Sequence, residues 1–125
     1  MTLREAIASV DSLKPNQYST AQKVTWLTQC DAAIHSNIVR THELPAGNNG
    51  TFVLYSETEL DRELIAPPPY DILYKHYLES RIDLYNKEMT NYNNSNLLYT
   101  AAYNAFAGWY TQNHMPKAKA THFKL

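Results

Sequence analysis

The most reactive side chains of this sequence are one thiol and five imidazoles. Cys30 is the only cysteine, and His35 follows it on the same predicted helix, as a thiol nucleophile with a histidine base would require. The sequence places no cluster of activating residues beside them. We therefore interpret Cys30 as a small apolar side chain packed in a helical stripe.

The histidines do not predict a metal site either. They are His35, His42, His76, His114 and His122, and only His76 pairs with a cysteine, histidine or glutamate at metal-ligand spacing, namely with Glu79 three residues on. A single pair of this kind on a helix is typical of a solvated or hydrogen-bonded face, because a structural site needs four ligands. We predict no metal and no other cofactor.

Two further arrangements favour structure over catalysis. The three glycines are too scattered to form a phosphate-binding loop: Gly47, Gly50 and Gly108. Glu79 and Asp83 share a predicted helix face with Lys75 and Lys87 at four-residue spacing, which is typical of exposed charge pairs. No convergent polar cluster remains, and we predict that the protein is not an enzyme.

Length and charge narrow the class of protein further. The chain has 125 residues, which suits one domain, and its 11 basic and 12 acidic side chains give a formal charge of −1. Binding that depends on massed phosphate neutralisation is disfavoured by this balance. A single cysteine excludes an intrachain disulfide. The sequence also contains neither an apolar run long enough to span a membrane nor a recognisable export signal at its start.

Tyrosine is the conspicuous excess, with ten among 15 aromatic residues. Several of them fall on predicted apolar stripes, where they would pack in a core. A buried phenol oxygen needs a hydrogen-bond partner, however, and tyrosine is enriched in protein interfaces. The excess favours a protein that assembles with other chains.

The elements that would position these residues are mostly helices. Thr2 with Glu5, and Ser19 with Gln22, predict the starts of helices that run to about Lys14 and to about Arg40. A helix begins near Tyr70. The asparagine-rich stretch 92–96 predicts a break, and a last helix follows over 95–112, although one long helix over 70–112 is the alternative. This last helix is apolar most of the way round, so it is either central in the bundle or covered by another chain.

Two segments have a different character. Turn residues followed by the apolar run 52–55 predict a short β-ribbon within 43–69, with 64–66 as its second strand. Residues 117–125 carry three lysines and few apolar residues, and predict an extended tail. The predicted fold is therefore mainly α: a bundle of four to five helices over 1–116, interrupted by the ribbon and followed by the tail.

The sequence resembles a family of small structural proteins of tailed bacteriophages, of the type found in phages and prophages of Firmicutes. The resemblance covers most of the chain and is carried by segments 64–74, 77–86, 92–95 and 101–110, with 3–7, 14–16 and 114–116 in addition. Its most distinctive parts are Pro67-Pro68-Pro69-Tyr70-Asp71 and Ala105-Phe106-Ala107-Gly108-Trp109-Tyr110. These motifs concern packing and interfaces.

The resemblance implies a head-tail connector protein of the virion, assembled in the host cytoplasm, and most closely an adaptor, or head completion, protein. Adaptors of this class form a ring, commonly of twelve copies, between the portal and the tail-completion or stopper proteins. Double-stranded DNA passes through the lumen without sequence-specific binding. We expect the tail to dock on the portal through Lys117, Lys119, Phe123 and Lys124, and neighbouring subunits to meet at Trp26, Tyr99, Tyr103 and Tyr110.

A small helical DNA-binding regulator is the alternative from another class, with the helix after Ser19 as its recognition helix. The acidic stretch from Glu57 to Glu63 and the scarcity of arginine count against it.

Overall fold

A computed structural model describes residues 1–42 and 51–114. In these residues the chain forms four α-helices: α1 (Leu3–Leu13), α2 (Thr20–Asn37), α3 (Ile72–Tyr85) and α4 (Met89–Asn113). A short 3-10 helix, Val39–Thr41, follows α2. The prediction of a mainly helical fold is confirmed.

Local hydrogen bonds explain where the first two helices begin. Thr2 Oγ1 accepts from the backbone N–H of Glu5 at 3.2 Å, and Glu5 Oε1 accepts from the backbone N–H of Thr2 at 2.9 Å. This is the predicted capping box. Ser19 caps α2 in the same way, its hydroxyl accepting from the backbone N–H of Gln22 at 3.1 Å.

The boundary between α3 and α4 lies elsewhere than predicted. Residues 92–96 are helical and belong to α4, and the break falls at 86–88. Lys87 has a left-handed φ of 62°, its N–H donates to the Leu84 carbonyl, and the Glu88 N–H donates to the Asp83 carbonyl. These two bonds form a Schellman motif, which ends α3 although no glycine is present.

The predicted ribbon is wrong for the residues that the structure describes. Neither 52–55 nor 64–66 forms a strand, and the bridge between Thr2 and Glu63 is isolated. The backbone near Glu63 pairs with the start of α1 instead: Leu3 N donates to the Arg62 carbonyl at 3.1 Å, and Leu64 N donates to the Met1 carbonyl at 3.0 Å. Backbone groups used in this way cannot also pair within a hairpin.

The centre of the bundle is α3, which packs against α1, α2 and α4. Its inward side chains Leu73, Tyr74, Leu78 and Ile82 are fully buried, and the α2 stripe of Val24, Leu27, Cys30 and Ile34 packs in the same core. The last helix, α4, lies at the edge of the bundle along α3. The sequence predicted that this helix is either central in the bundle or covered by another chain, and the central position is wrong.

Candidate subunit interface

Two of the residues predicted at the subunit interface lie in the chain's own core. Trp26 is 2% exposed, with Tyr85 stacked on its ring at 5.5 Å and the Tyr18 ring edge-on at 5.3 Å. Tyr110 is 7% exposed and packs against Phe106 and His114. The fold itself fills the space around these two side chains, which leaves almost no surface of either one for a neighbouring subunit.

The other two tyrosines, Tyr99 and Tyr103, are half-buried and lie at the junction of α4 with α2. They line a groove of about 230 Å³ together with Ala33 and Asn37 of α2 and Thr100 of α4. We call these five residues the tyrosine groove. Both predicted residues are therefore at a surface that a partner can reach.

The hydroxyls in the tyrosine groove already have partners within the chain. Tyr99 Oη lies 3.8 Å from Cys30 Sγ, and the Tyr103 hydroxyl is hydrogen-bonded to the Asn37 side chain. Burial raises the pKa of both phenols, and the nearby Cys30 thiol adds to the shift at Tyr99. Both stay neutral at physiological pH.

The outward side of α4 exposes apolar side chains. Leu97 is 68% exposed and Leu98 53%, and the small residues Ala101, Ala105 and Gly108 continue the same side at steps of three and four. We call these five residues the leucine strip. No element that the structure describes covers it.

The charge content of α4 is unusual for a helix at the edge of a domain. Its 25 residues include no Asp, Glu, Lys or Arg. Exposed helix faces ordinarily carry charged residues, which keep them soluble and unpaired. An uncharged exposed face is the pattern of a surface that another chain covers.

Gly108 supports the same interpretation. A methyl group added at its Cα would meet nothing within 4 Å, and its φ is not in the left-handed region. Glycine in a helix interior costs roughly 1 kcal/mol relative to alanine. Neither contacts with the residues that the structure describes nor backbone geometry accounts for this glycine, whereas close approach by another chain would.

A buried carboxylate, which sequence reasoning missed, anchors the irregular segment 51–69. Asp31 of α2 is fully buried and accepts hydrogen bonds from Tyr55 Oη at 2.5 Å, from Tyr74 Oη at 2.6 Å and from the Ile65 N–H at 3.0 Å. The Tyr74 hydroxyl in turn accepts from the Ala66 N–H at 2.7 Å. We call this arrangement the Asp31 cluster.

Burial sets the protonation behaviour of the Asp31 cluster. Desolvation raises the pKa of Asp31, against the opposing effect of the hydrogen bonds that it accepts. Desolvation together with the neighbouring Asp31 also raises the pKa of Cys30 and Tyr55. Cys30 is thus a buried neutral thiol, in keeping with its interpretation as a core residue.

The predicted ladder of exposed charges on α3 is wrong. Asp83 is fully buried, where its carboxylate accepts from Lys14 Nζ at 2.6 Å and from Ser95 Oγ at 2.9 Å. Glu79 bonds to His76 at 3.2 Å instead of to a lysine. The bundle turns the Asp83 side of α3 towards α1 and α4, so charges at helical spacing do not share one solvated face.

A second cavity, of about 410 Å³, lies between segment 51–67 and the end of α4, with Phe52, Arg62, Phe106 and His114 in its wall. His114 is stacked on Tyr110, and its Nδ1 lies 3.1 Å from that residue's carbonyl oxygen. Arg62 lies over the Tyr55 ring. The cavity brings together aromatic rings, the Arg62 guanidinium and the imidazoles of His35 and His114.

Residues 1–42 and 51–114 contain no group of three or more potential metal ligands. In the same part of the chain, no helix is long and apolar enough to cross a membrane.

The four residues predicted to dock on the portal, Lys117, Lys119, Phe123 and Lys124, lie outside the residues that the structure describes. Comparisons of the chain with models of protein families, with curated proteins and with solved structures found no match. The family resemblance stays a prediction.

Proposed function

We propose that this protein is a non-enzymatic structural component of a bacteriophage virion: an adaptor that forms a ring between the portal and the tail-completion proteins. The family resemblance suggests the system. The observation that carries the proposal is the leucine strip, an exposed apolar surface on a helix without charged residues. Such a surface is typical of a site that another protein chain covers.

Leu97 and Leu98 are the large apolar side chains of the leucine strip. Burying an exposed leucine side chain completely stabilises a complex by roughly 1.5–3 kcal/mol. Two such side chains in every copy, repeated around a ring, supply a substantial driving force for assembly. An interface that also leaves no charge unpaired avoids the desolvation penalty of a buried ion.

The remaining parts of the proposal concern DNA and the portal. A formal charge of −1 suits a ring through which DNA passes without being held. Residues 117–125 are proposed to extend from the helical domain and to dock on the portal through their lysines and Phe123. Twelve copies are proposed for the ring.

A DNA-binding regulator is less compatible with α2. The helix that would serve for recognition contains one lysine, Lys23, and its ammonium group is buried in an ion pair with Asp11 at 2.7 Å. Recognition helices present arginine and lysine to the major groove and the phosphates. No lysine or arginine of α2 is free to do so.

Light scattering coupled to size-exclusion chromatography tests the proposal, on the protein alone and mixed with the portal of the same phage. We expect ring-sized particles or a complex with the portal. The variant L97S/L98S should weaken assembly at least tenfold. The control variant N93S/Q112S, which changes exposed polar residues of the same helix, should assemble like the parent chain.

A chain that stays monomeric with the portal, and that binds a specific DNA sequence in a salt-sensitive way, would refute the adaptor. Purified virions offer a second check, because the adaptor has to be present in them in portal-like copy number.

A further inference from the structure

The leucine strip and the two tyrosines of the tyrosine groove lie on opposite sides of the same helix. We propose that they bind each other between copies: the leucine strip of one copy packs into the tyrosine groove of the next. This inference rests on the proposed function, and it specifies the two surfaces that form the subunit contact. The contact is heterologous, so each copy uses one surface towards each neighbour.

Helix geometry places the two surfaces apart. With 3.6 residues per turn, residues two positions apart point about 200° away from each other. Tyr99 therefore faces away from Leu97, and Tyr103 faces away from Ala101. A contact between opposite sides of the same element passes from copy to copy in one direction, which gives a closed ring when the rotation closes.

The chemistry of the two surfaces matches. The groove residues and the strip residues are all uncharged, and the charged side chains Lys14 and Glu79 border the strip at Leu98. A contact centred on the strip residues themselves buries no ionised group. Tyr99 and Tyr103 already spend their hydroxyls on Cys30 and Asn37. An apolar occupant therefore leaves neither phenol without a partner, and polar groups left unpaired are the usual cost of such a contact.

The sizes of the two surfaces also match. The groove encloses about 230 Å³. An apolar protein cavity of roughly 150 Å³ is enough for a benzene molecule, so this groove has room for a leucine side chain. Ala101, Ala105 and Gly108 keep the backbone of the strip close to the surface that it meets, which explains a glycine at a position where packing against the described residues 1–42 and 51–114 does not require one.

The absence of charged residues favours a second copy of this chain as the occupant of the tyrosine groove. Among the helices of residues 1–42 and 51–114, α1, α2 and α3 each contain charged residues, and α4 contains none. Of these four helices, α4 of a second copy is therefore the one that can present a surface without charge to the uncharged tyrosine groove. A two-fold pairing of strip with strip would be the other use of α4, and it would leave the tyrosine groove empty.

Cross-linking between two variants that each add one cysteine to the native Cys30 tests the pairing. Ala101→Cys places a thiol on the strip without removing either leucine, and Thr100→Cys places one at the groove. Both positions are exposed, so neither change disturbs the core. The native Cys30 is 1% exposed and its thiol pKa is raised by burial, so the parent chain provides the background. The two variants are isotope-labelled differently, mixed, allowed to assemble and treated with a short bismaleimide.

We expect cross-links between Ala101→Cys and Thr100→Cys to exceed those between two copies of Ala101→Cys at least tenfold. A preference for strip-to-strip cross-links would overturn the heterologous contact in favour of a two-fold dimer. Rings that assemble without either cross-link would overturn this inference and leave the adaptor function standing. No assembly at all, alone or with the portal, would overturn both.

Blocking the groove gives an independent readout. Ala33→Trp should fill the tyrosine groove and lower assembly at least tenfold, whereas Ala21→Trp, an equally exposed alanine near the start of α2, should not. Equal assembly by the two tryptophan variants contradicts the proposed contact. Circular dichroism of both variants establishes that they fold.

Discussion

The Asp31 cluster allows a comparison between Tyr74→Phe and Tyr55→Phe. Only the first of these substitutions leaves a backbone N–H without its acceptor. Tyr74→Phe removes the bond to Asp31 Oδ1 and also the acceptor of the Ala66 N–H, which is buried. Tyr55→Phe removes a bond to Asp31 Oδ2 alone, and that oxygen keeps the Ile65 N–H. Both changes delete a single oxygen and leave the ring in place.

The expected magnitudes follow from what each change leaves unpaired. A hydrogen bond to a charged group contributes about 1.5–3 kcal/mol, and a buried N–H without a partner costs about 1–3 kcal/mol more. Tyr74→Phe should therefore lower the free energy of unfolding by about 3–5 kcal/mol. For Tyr55→Phe, whose side chain is half-buried, about 1.5–2 kcal/mol is expected.

Urea unfolding at pH 7, followed by far-UV circular dichroism, measures both differences. Tyr85→Phe is the control, because its side chain is 57% exposed and its hydroxyl has no hydrogen bond to the described residues. It should change stability by less than about 0.5 kcal/mol. If Tyr74→Phe costs no more than Tyr55→Phe, the Ala66 N–H does not depend on Tyr74 and the reasoning is refuted.

Two further predictions concern backbone geometry and pH. Lys87→Gly should raise the free energy of unfolding by about 1 kcal/mol, because Lys87 holds a left-handed φ of 62° that glycine adopts without strain; urea unfolding measures the gain, and a loss would contradict it. Burial raises the pKa of Asp31 above its ordinary 3.8, so its stabilising contribution is complete below that value and is lost as the pH rises through the folded-state pKa. The stability of the parent chain minus that of Asp31→Asn should therefore fall as the pH rises above 3.8, whereas a rising difference would mean that the hydrogen bonds outweigh burial.

Local hydrogen bonds made the starts of α1 and α2 predictable. A cap joins residues three positions apart, so Thr2 with Glu5, and Ser19 with Gln22, are visible as pairs in the sequence. The end of α3 was not predictable in this way. Its Schellman motif uses Lys87 where glycine is usual, and the asparagines at 93, 94 and 96 that resembled a break lie within α4.

The partners of the two buried carboxylates, Asp31 and Asp83, could not be predicted from the sequence. Asp31 stands four residues after Leu27 and three before Ile34, both buried, which is a signal that it lies on an apolar stripe. Its partners are 24, 34 and 43 residues away along the chain, so no local pattern identifies them. Asp83 likewise pairs with Lys14, 69 residues away.

For the tyrosines of the last helix, the sequence determined which side of the helix they share, and the tertiary structure decided which of them are exposed. Periodicity alone placed Tyr99, Tyr103 and Tyr110 on the same side of the last helix and predicted that this helix is apolar most of the way round. Which of them a partner can reach depended on the bundle, which buries Tyr110 and leaves Tyr99 and Tyr103 at a groove with α2. Helical spacing determines which side chains share a side, whereas exposure depends on neighbours distant in sequence, and only the packed fold brings those together.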